Sequence, residues 1–552
     1  MLMLRNLRKT ALVLAVSGAI GVAGAVQAGV SDNSLATVSR GTQLLGGDAV
    51  NGALSLSHPI HVTIALKLRN ADQLRTFNSQ PHRPMSKSQL SADHLPTQAQ
   101  AQAVANFLKG AGFGNVKISN NRMLVQADGT AAIAARAFDT SLSQVRTHDG
   151  RVTFANTTEI KIPASLRGSV QAVLGLQGVH KAHTFAQPAQ AGAGAAISGH
   201  DPTEFASIYG ASALKTADSV DVAVWGWGSM EQTLADLDTF TDAHSMPRTS
   251  TSVVCTDYDG YGSGTISTTD PTCKSFDEGS VEWDMDSQDI VGMTGGVKSL
   301  TFFAAYGGYN GSVTTSLNSI VSPPDGIPLA SVINASFGEC ERFQDSGQGG
   351  DGSAQANDAL FQIALAQGQT FSVSTGDHGA DECGDGGLNS ASYPASSPYV
   401  IAVAGTTLNA ANGTYGRETE WIGSGGSPSS FEAAPSWQAA LTYGTYKGSR
   451  GPDMAFDANP QTGAIYYNYG QLIQVGGTSL SAPIFAGAWA RLIANGAADP
   501  MAPAGQQLYA MPASFFHDIT GGNNRGYITR RGWDWASGRG SLNLSNFAAP
   551  PQ

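Results

Sequence analysis

The chain has 552 residues, which is too long for one compact domain and suits two or three. Charged residues make up 13% of it and glycine is abundant, a composition typical of a loop-rich globular protein and not of a disordered one. The net charge of −12 argues against a role in binding nucleic acid.

The first 28 residues have the three parts of a secretory signal peptide. Three basic residues precede an apolar stretch at 11–26, and Val26-Gln27-Ala28 forms a small-residue cleavage site. The apolar stretch is too short for a good membrane span, and no later stretch is long and apolar enough to cross a bilayer. The sequence therefore predicts a soluble, exported protein from which residues 1–28 are removed.

Residues 29–186 are predicted to form a basic α+β domain. They contain 15 Lys and Arg against 8 Asp and Glu, a net charge of +7. Apolar alternation, a helix-ending glycine and turn residues predict its elements. In chain order these are a strand at 58–68, a helix at 97–113, a hairpin at 115–128, a helix at 130–140 and two short strands within 151–163.

An Ala- and Gly-rich segment at 187–200 is predicted to be a flexible linker to a second domain at 201–552. Residues 187–552 contain 13 Lys and Arg against 35 Asp and Glu, a net charge of −22. The two halves therefore have complementary charge at neutral pH, and their attraction should fade in acid as the carboxylates protonate. The alternative is that charge divides between the halves by accident.

The second domain contains a series of apolar runs that each end at glycine or polar residues, with helical segments between them. These runs occupy 220–228, 300–308, 330–338, 368–377 and 399–408. Strands that are apolar on both faces and separated by helices indicate a parallel sheet in an α/β sandwich. In such folds the functional site lies at the carboxyl ends of the strands.

The four cysteines fit an oxidising compartment. Three pairings are possible, and nearest-neighbour pairing, Cys255–Cys273 with Cys340–Cys383, is the predicted one because it closes two modest loops. Zinc binding is the alternative, but the spacings contain no close C-x-x-C pair.

The segment VEWDMDSQDIVGM at 281–293 places four carboxylates among apolar residues. If this segment is helical, Glu282 and Asp286 are four positions apart and share a face. Two carboxylates on one face can share a proton, and one can orient the other as a base. The alternative is an acid-rich first turn of a helix, which the helix dipole favours.

The segment VGGTSLSAPIFAGAWARLIA at 475–494 places Ser479 where a glycine-rich turn enters an apolar helix. A serine in that position is exposed to substrate and has backbone donors nearby, as a nucleophile requires. The alternative is an ordinary Gly-Ser turn with a helix cap.

The GGTSLSAP motif resembles the signature around the serine of subtilisin-like peptidases, whose base is a histidine in an H-G-T-H context. The four histidines after residue 187 lie in no such context. The EWDMD segment instead resembles the Glu-x-x-x-Asp helix of the sedolisins, the serine-carboxyl peptidases, and in particular of the pepstatin-insensitive bacterial acid proteinases. Further motifs resemble this family: DPTEFASIYG (201–210), VINASFGECE (332–341), GQTFSVSTGDHGADEC (368–383), SYPASSPYVIAVAGTTL (392–408), PDMAFDANPQTG (452–463) and HDIT…GWDWASGRG (517–540).

The resemblance implies a subtilisin-like α/β fold and a catalytic set of three residues. Ser479 would be the nucleophile, Glu282 would accept its proton and return it to the leaving amine, and Asp286 would orient Glu282. A carboxyl base works best near its own pKa, so activity is expected in acid. The basic N-terminal domain is similar to the family's pro-kumamolisin-type activation propeptide.

The family also uses a protonated aspartic acid as an oxyanion donor, placed shortly after a strand that ends in Ser-x-Gly. Here that strand is followed by ECERFQDSGQGGDG, a segment longer than usual. Asp345 is the predicted donor and Glu341 the second choice. Asp377, in STGDHG, matches a repeated family motif and is expected to support the pocket or its loop.

The resemblance further implies one structural Ca²⁺ ion near the C-terminus. Asp518 and Asp534 would supply carboxylate oxygens, and Ile519, Arg530 and Gly532 backbone carbonyls, which suits Ca²⁺. The family usually has glycine where Arg530 stands, so this set requires Arg530 to adopt the necessary backbone angles.

The sequence thus predicts a secreted, acid-acting endopeptidase zymogen, expected to be monomeric. It would activate itself: its propeptide would cover the cleft, assist folding and be removed by a cut near 187–200. A subtilisin-like enzyme with a displaced histidine base, a tripeptidyl peptidase of the same family and an inactive binding module are the alternatives. Activity at neutral or alkaline pH would favour the first, a loop that blocks the cleft would favour the second, and the intact catalytic set argues against the third.

Overall fold

The structure is a computed structural model that describes residues 34–189, 199–257, 265–275 and 280–548. The predicted signal peptide and most of the predicted linker lie outside these residues. Within them, no helix combines the length and apolar character needed to cross a membrane.

The N-terminal domain is α+β, as predicted. Its strands are β1 (Leu35–Ser39), β2 (Ala49–Ala53), β3 (Pro59–Leu66), β4 (Gly114–Ile118), β5 (Leu124–Thr130), β6 (Leu142–Arg146), β7 (Val152–Asn156), β8 (Ile160–Pro163) and β9 (Val170–Leu174). Its helices are α1 (Ala71–Asn78), α2 (Lys87–Asp93), α3 (Gln98–Ala111) and α4 (Ala131–Ala137). The predicted strand, helices, hairpin and strand pair correspond to β3, α3 and α4, β4–β5, and β7–β8.

Helix α3 begins and ends where its sequence signals place it. Thr97 and Gln100 form a reciprocal capping box at its start, which satisfies two otherwise free backbone N–H groups. Gly112 follows its last turn with φ of 101°, a left-handed conformation that glycine adopts without strain.

The second part of the chain contains fifteen further strands and eight helices within the described residues, preceded by the short strands β10 (His183–Thr184) and β11 (Gln187–Pro188). The strands are β12 (Ala217–Trp227), β13 (Thr251–Thr256), β14 (Ile266–Ser267), β15 (Val297–Ala305), β16 (Val332–Ala335), β17 (Phe337–Cys340), β18 (Thr370–Ser374), β19 (Ser392–Tyr393), β20 (Ile401–Ala411), β21 (Thr414–Glu420), β22 (Met454–Asp457), β23 (Ala464–Asn468), β24 (Gln471–Gly476), β25 (Phe516–His517) and β26 (Ser541–Leu542). The helices are α5 (Glu204–Ile208), α6 (Glu231–Ala243), α7 (Ser280–Thr294), α8 (Asn310–Val321), α9 (Ser353–Ala366), α10 (Ser436–Ala439), α11 (Thr478–Ala494) and α12 (Ala504–Ala510).

The central sheet has the strand order β14-β13-β15-β12-β16-β18-β20-β21, and β22 also pairs with β20. All neighbours are parallel except for the pairs β13–β14 and β20–β21. The five apolar runs in the sequence are β12, β15, β16, β18 and β20, which confirms the parallel sheet. The other four strands of this sheet, β13, β14, β21 and β22, were not predicted.

Helices cover both faces of this sheet. Gly226 of β12 meets the Trp283 ring of α7, while the ring of the adjacent Trp225 packs against Phe361 of α9. Because successive residues of a strand point to opposite faces, α7 and α9 lie on opposite sides of the sheet. Helix α11 packs along α7 and beneath β12, β16, β18 and β20.

The N-terminal domain docks on α8 and α9. Its antiparallel sheet β4-β5-β3-β9 buries one face against α3 and α4 and turns the other toward the second domain. Asn121 donates to Asn318 Oδ1 on α8 at 2.7 Å, and Asn78 donates to the Gln362 carbonyl on α9 at 2.9 Å. Buried apolar residues from both domains form one continuous cluster, so the two domains share a core.

The two disulfides are Cys255–Cys273 and Cys340–Cys383, as predicted. The first joins β13 to the segment after β14. The second ties the end of β17 to the loop after β18. No cysteine is left for zinc.

Candidate active site

Helix α7 carries Glu282 and Asp286 one turn apart, and both side chains are buried. Trp283 fixes the position of the helix: its indole N–H donates to the Trp227 carbonyl at 2.8 Å. The indole ring lies over Gly226, where an added Cβ would come within 2.6 Å of it. The glycine therefore allows the helix to approach β12 closely.

Ser479 is the second residue of α11, and its side chain is buried. The preceding Gly477 has φ of 103°, which turns the chain sharply from β24 into the helix. The backbone N–H of Thr478 donates to Asp377 Oδ1 at 2.8 Å, so a carboxyl group occupies the start of α11 beside Ser479.

Ser336, which lies between β16 and β17, contacts Asp286 and Ser479, and Ser479 also hydrogen-bonds to Glu282. The Ser336 hydroxyl donates to Asp286 Oδ1 at 2.6 Å, and the Ser479 hydroxyl donates to the Ser336 carbonyl at 3.2 Å. Ser336 was not among the predicted site residues. Its place at the carboxyl end of a parallel strand is the signal that could have drawn attention to it.

Burial dominates the electrostatics of the two carboxyl groups. It raises the pKa of Glu282 well above its usual value, and the neighbouring Asp286 raises that pKa further. A hydrogen bond from Ser479 opposes this rise in part. Burial also raises the pKa of Asp286 well above its usual value, and hydrogen bonding from Ser336 opposes that rise. Because the two groups interact electrostatically, they titrate as a pair.

Asp345 and Glu341 lie in hydrogen-bond networks of their own. Asp345 Oδ1 accepts from the Gln355 side chain at 2.6 Å and from the Gly347 N–H at 3.1 Å. Glu341 accepts hydrogen bonds from the Ser429 hydroxyl at 2.6 Å and from the backbone N–H of Ser430. These contacts tie Asp345 to the start of α9 and Glu341 to the segment between β21 and α10.

Asp377 has the surroundings expected of an oxyanion donor. Its Oδ1 accepts from both the backbone N–H and the hydroxyl of Thr478, the residue before Ser479. Its Oδ2 is buried with no hydrogen-bond partner among the described residues. Burial raises the pKa of Asp377 to about 8. A carboxyl that is neutral at lower pH can donate a hydrogen bond from the free oxygen.

An extended segment of the chain itself crosses this site. Strand β10 pairs antiparallel with β17, and β11 pairs antiparallel with β24. Between them, the Phe185 N–H donates to Ser479 Oγ at 3.2 Å, and the Ala186 N–H donates to Glu282 Oε2 at 2.9 Å. The segment at 183–188 therefore occupies the cleft as a peptide substrate would, and the predicted domain boundary at 186/187 falls inside it.

The predicted calcium ligands lie on one closed loop. The Gly532 N–H donates to both Asp518 oxygens at 3.1 and 3.0 Å, and the Arg530 N–H donates to Asp534 Oδ2 at 2.7 Å. Arg530 has no positive φ, so glycine is not required there, and its guanidinium lies over the Tyr443 ring. No group of three or more His, Cys, Asp or Glu that could hold a metal occurs in the described part of the chain.

Asp518 and Asp534 would need the backbone carbonyls of this loop to complete a metal site. Burial raises the pKa of Asp534. A raised pKa means that burial disfavours the ionised form of Asp534, and a bound cation would offset that free-energy cost. The donor set, which consists of oxygens alone, suits Ca²⁺.

Comparison with known proteins gives two matching family descriptions. Residues 48–179 match the pro-kumamolisin activation domain, and residues 280–511 match the subtilase family. Sedolisin of Pseudomonas sp. (strain 101) is 38% identical over 90% of this chain and 88% of its own length. Xanthomonalisin of Xanthomonas sp. (strain T-22) is 37% identical over 95% of this chain and 69% of its own length.

A solved structure of Pseudomonas sedolisin, a serine-carboxyl proteinase complexed with two molecules of pseudo-iodotyrostatin, is also similar. It is 41% identical, with a TM-score of 0.56, and the match covers 64% of this chain and 98% of that one. The matched share of this chain is close to the size of the second domain.

Proposed function

This chain belongs to the sedolisin family of serine-type peptidases, and from that premise we propose that it is an acid-acting endopeptidase made as a secreted zymogen. The observation that carries the proposal is the hydrogen bond between Ser479 and Glu282, with Asp286 one helical turn from Glu282 and both Asp286 and Ser479 held by Ser336. A nucleophile beside a base, with the base held by a third group, is the arrangement that acyl transfer requires. Export is proposed from the pattern of residues 1–28 alone.

In this proposal Ser479 attacks the peptide carbonyl and Glu282 takes its proton. Asp286 orients Glu282 and shares its charge through the coupled titration of the pair. Departure of the segment at 183–188, which covers Glu282 here, would return the pair to water and lower its pKa toward the acid range in which the base must be ionised. Glu282 then returns the proton to the leaving nitrogen, and water completes the hydrolysis by the same steps. We assign the oxyanion donor to Asp377, whose free oxygen is available to donate when the group is protonated.

The N-terminal domain is proposed to be an intramolecular inhibitor. The hydrogen bonds of Phe185 to Ser479 and of Ala186 to Glu282 support this role, because they occupy the nucleophile and the base at once. The opposite net charges of the two halves support release in acid, where the carboxylates lose their charge. Release that did not depend on pH or salt would contradict this part of the proposal.

A Ca²⁺ ion held by Asp518, Asp534 and the carbonyls of Ile519, Arg530 and Gly532 is proposed to stabilise the C-terminal loop. The ion would supply positive charge next to a buried carboxylate. Calorimetric titration of the inactive Ser479→Ala chain with Ca²⁺ should give one binding event. Its loss in Asp534→Asn is expected, and unchanged binding in that variant would contradict the assignment.

The proposed function is tested by pH–rate profiles on a denatured protein substrate. We expect an acid optimum for the wild type and loss of activity in both Ser479→Ala and Glu282→Gln. The matched control is Asp284→Asn, because Asp284 is buried on the same helix but accepts a hydrogen bond from Asn468 at 2.7 Å. The control should keep the acid optimum. An optimum at or above neutral pH that survives Glu282→Gln would instead favour a histidine base.

A further inference from the structure

We propose that the chain cleaves itself in cis between Phe185 and Ala186. This inference rests on the proposed function and adds the bond that is cut, which lies just before the predicted processing region at 187–200. The position of the bond is inferred from the contacts that atoms of the segment at 183–188 make with Ser479, Glu282 and Asp377.

The two backbone nitrogens around the bond define its position. The Ala186 nitrogen, which would be the leaving group, donates to Glu282 Oε2 at 2.9 Å. The Phe185 nitrogen, on the other side of the Phe185 carbonyl, donates to Ser479 Oγ at 3.2 Å. The Phe185 carbonyl carbon lies between these nitrogens in the chain and is therefore presented to the nucleophile, while the leaving nitrogen is already bound to the base.

The Phe185 carbonyl oxygen points toward the proposed oxyanion donor. A Cβ added at Gly477 would collide with that oxygen, and the same position lies 2.7 Å from Asp377 Oδ2. The oxygen and the unpartnered carboxyl oxygen therefore meet on one side of Gly477. A hydrogen-bond donor aimed at this position stabilises the charge that develops when a carbonyl is attacked.

Backbone pairing on both sides of the bond fixes this register. On the amino side, His183 pairs with Gly338 and Thr184 with Phe337. On the carboxyl side, Gln187 pairs with Gly476 and Pro188 with Val475. A slip of one residue would break both ladders and turn every side chain of the segment to the opposite face.

The Phe185 side chain also fits where it lies. The ring is buried, and an added Cβ at Gly338 would be 3.2 Å from its Cζ. The ring therefore rests on the backbone of β17, which can accept it because Gly338 has no side chain. This contact therefore favours an apolar side chain on the residue whose carbonyl belongs to the cut bond.

The reaction balances without a further reagent. Ser479 Oγ bonds to the Phe185 carbonyl carbon and its proton passes to Glu282. The carbon–nitrogen bond breaks as Glu282 gives that proton to the Ala186 nitrogen, which leaves Phe185 as an ester on Ser479. Water then hydrolyses the ester through Glu282 and restores the Ser479 hydroxyl.

The experiment uses the full-length chain purified at neutral pH and then acidified. Samples are quenched over time and analysed by intact mass and by N-terminal sequencing. The earliest cut should give one fragment that ends at Phe185 and another that begins at Ala186, with a first-order rate that does not change on dilution. A first cut elsewhere, or a rate that falls on dilution, would overturn the inference.

Two further measurements separate this inference from the proposed function. Ala186→Pro removes the N–H that donates to Glu282 and should abolish the cut at this bond, whereas the control Gln187→Ala should retain it. A peptide of residues 181–190, KAHTFAQPAQ, given to the activated enzyme, should be cut between Phe and Ala and requires no change to the fold. If the enzyme digests denatured protein but leaves this bond intact in both formats, the inference is wrong and the proposed function stands. If the enzyme cuts neither denatured protein nor this bond, the proposed function fails as well.

Discussion

At the scale of single residues, two buried carboxyl groups, Asp345 and Asp377, are candidates for the oxyanion donor. Asp345 meets Gln355 and Gly347, whereas Asp377 meets Thr478, the neighbour of the nucleophile. Asp345 was predicted by its offset from a strand, and a loop of unusual length makes an offset unreliable. The contacts favour Asp377, which the sequence analysis gave only a supporting role.

We expect Asp377→Ala to lower kcat by about 10²–10³-fold, the usual cost of removing one oxyanion donor. Asp345→Ala, the matched control, should change kcat by much less. The measurement is steady-state kinetics on a peptide substrate at the acid optimum. The reverse order of effects would restore Asp345 to the role.

Three residues of the candidate site could be predicted from local sequence: Glu282 and Asp286 from their spacing, and Ser479 from the glycine turn before it. The four-residue interval between Glu282 and Asp286 places them on one helix face, and the glycine turn before Ser479 places that residue at a helix start. Ser336 could not be predicted in this way. It reaches Asp286 only because β16 and α7, about fifty positions apart in sequence, meet at the same edge of the sheet.

At the scale of an element, the close approach of α7 to β12 controls where the base lies. We expect Gly226→Ala to lower kcat by about 100-fold with a smaller change in KM, since its methyl group would displace Trp283 and with it Glu282. The control is Gly521→Ala in the second domain, where the added Cβ would come no closer than 3.4 Å to another heavy atom. Kinetics and circular dichroism of both variants test this. An active Gly226→Ala enzyme would show that α7 can shift without moving the base.

The elements that were predicted are those whose environment is uniform along their length. Strands β12, β15, β16, β18 and β20 are largely buried on both faces, so their sequences are continuous apolar runs. Strands β10 and β11 have two residues each and exist because β17 and β24 offer them partners. Such short pairings follow from tertiary contact, and no local pattern encodes them.

At the scale of the whole molecule, the second domain contains many buried carboxyl groups, and these should make its stability fall as the pH rises. Burial raises the pKa of Asp284, Asp377 and Asp457 to about 8 each. Their pKa in the unfolded chain is about 3.9. Each group therefore contributes stability that is complete below about pH 3.9 and is lost as the pH rises through about 8.

We accordingly expect the Tm of the full-length Ser479→Ala chain, which cannot digest itself, to fall between acid and mildly alkaline pH. Asp284→Asn in the same background removes one titrating group and should make the decline shallower. Differential scanning calorimetry across this pH range gives the comparison. A Tm that stays constant or rises toward pH 8 would contradict the assignment of buried neutral carboxyls.

The paired strands β10 and β11 have a consequence for the timing of activation. While the chain between them is intact, the docking of one strand holds the other at a high effective concentration beside its partner, so the two short ladders act as one bivalent ligand. A cut between them turns that ligand into two monovalent ones, each with only two paired residues. Strand β10 then stays attached to the N-terminal domain, which still docks on α8 and α9, while β11 stays attached to the second domain. A single hydrolytic event thus divides one inhibitor into two parts that leave the cleft independently, and the loss of the shared tether opposes their return.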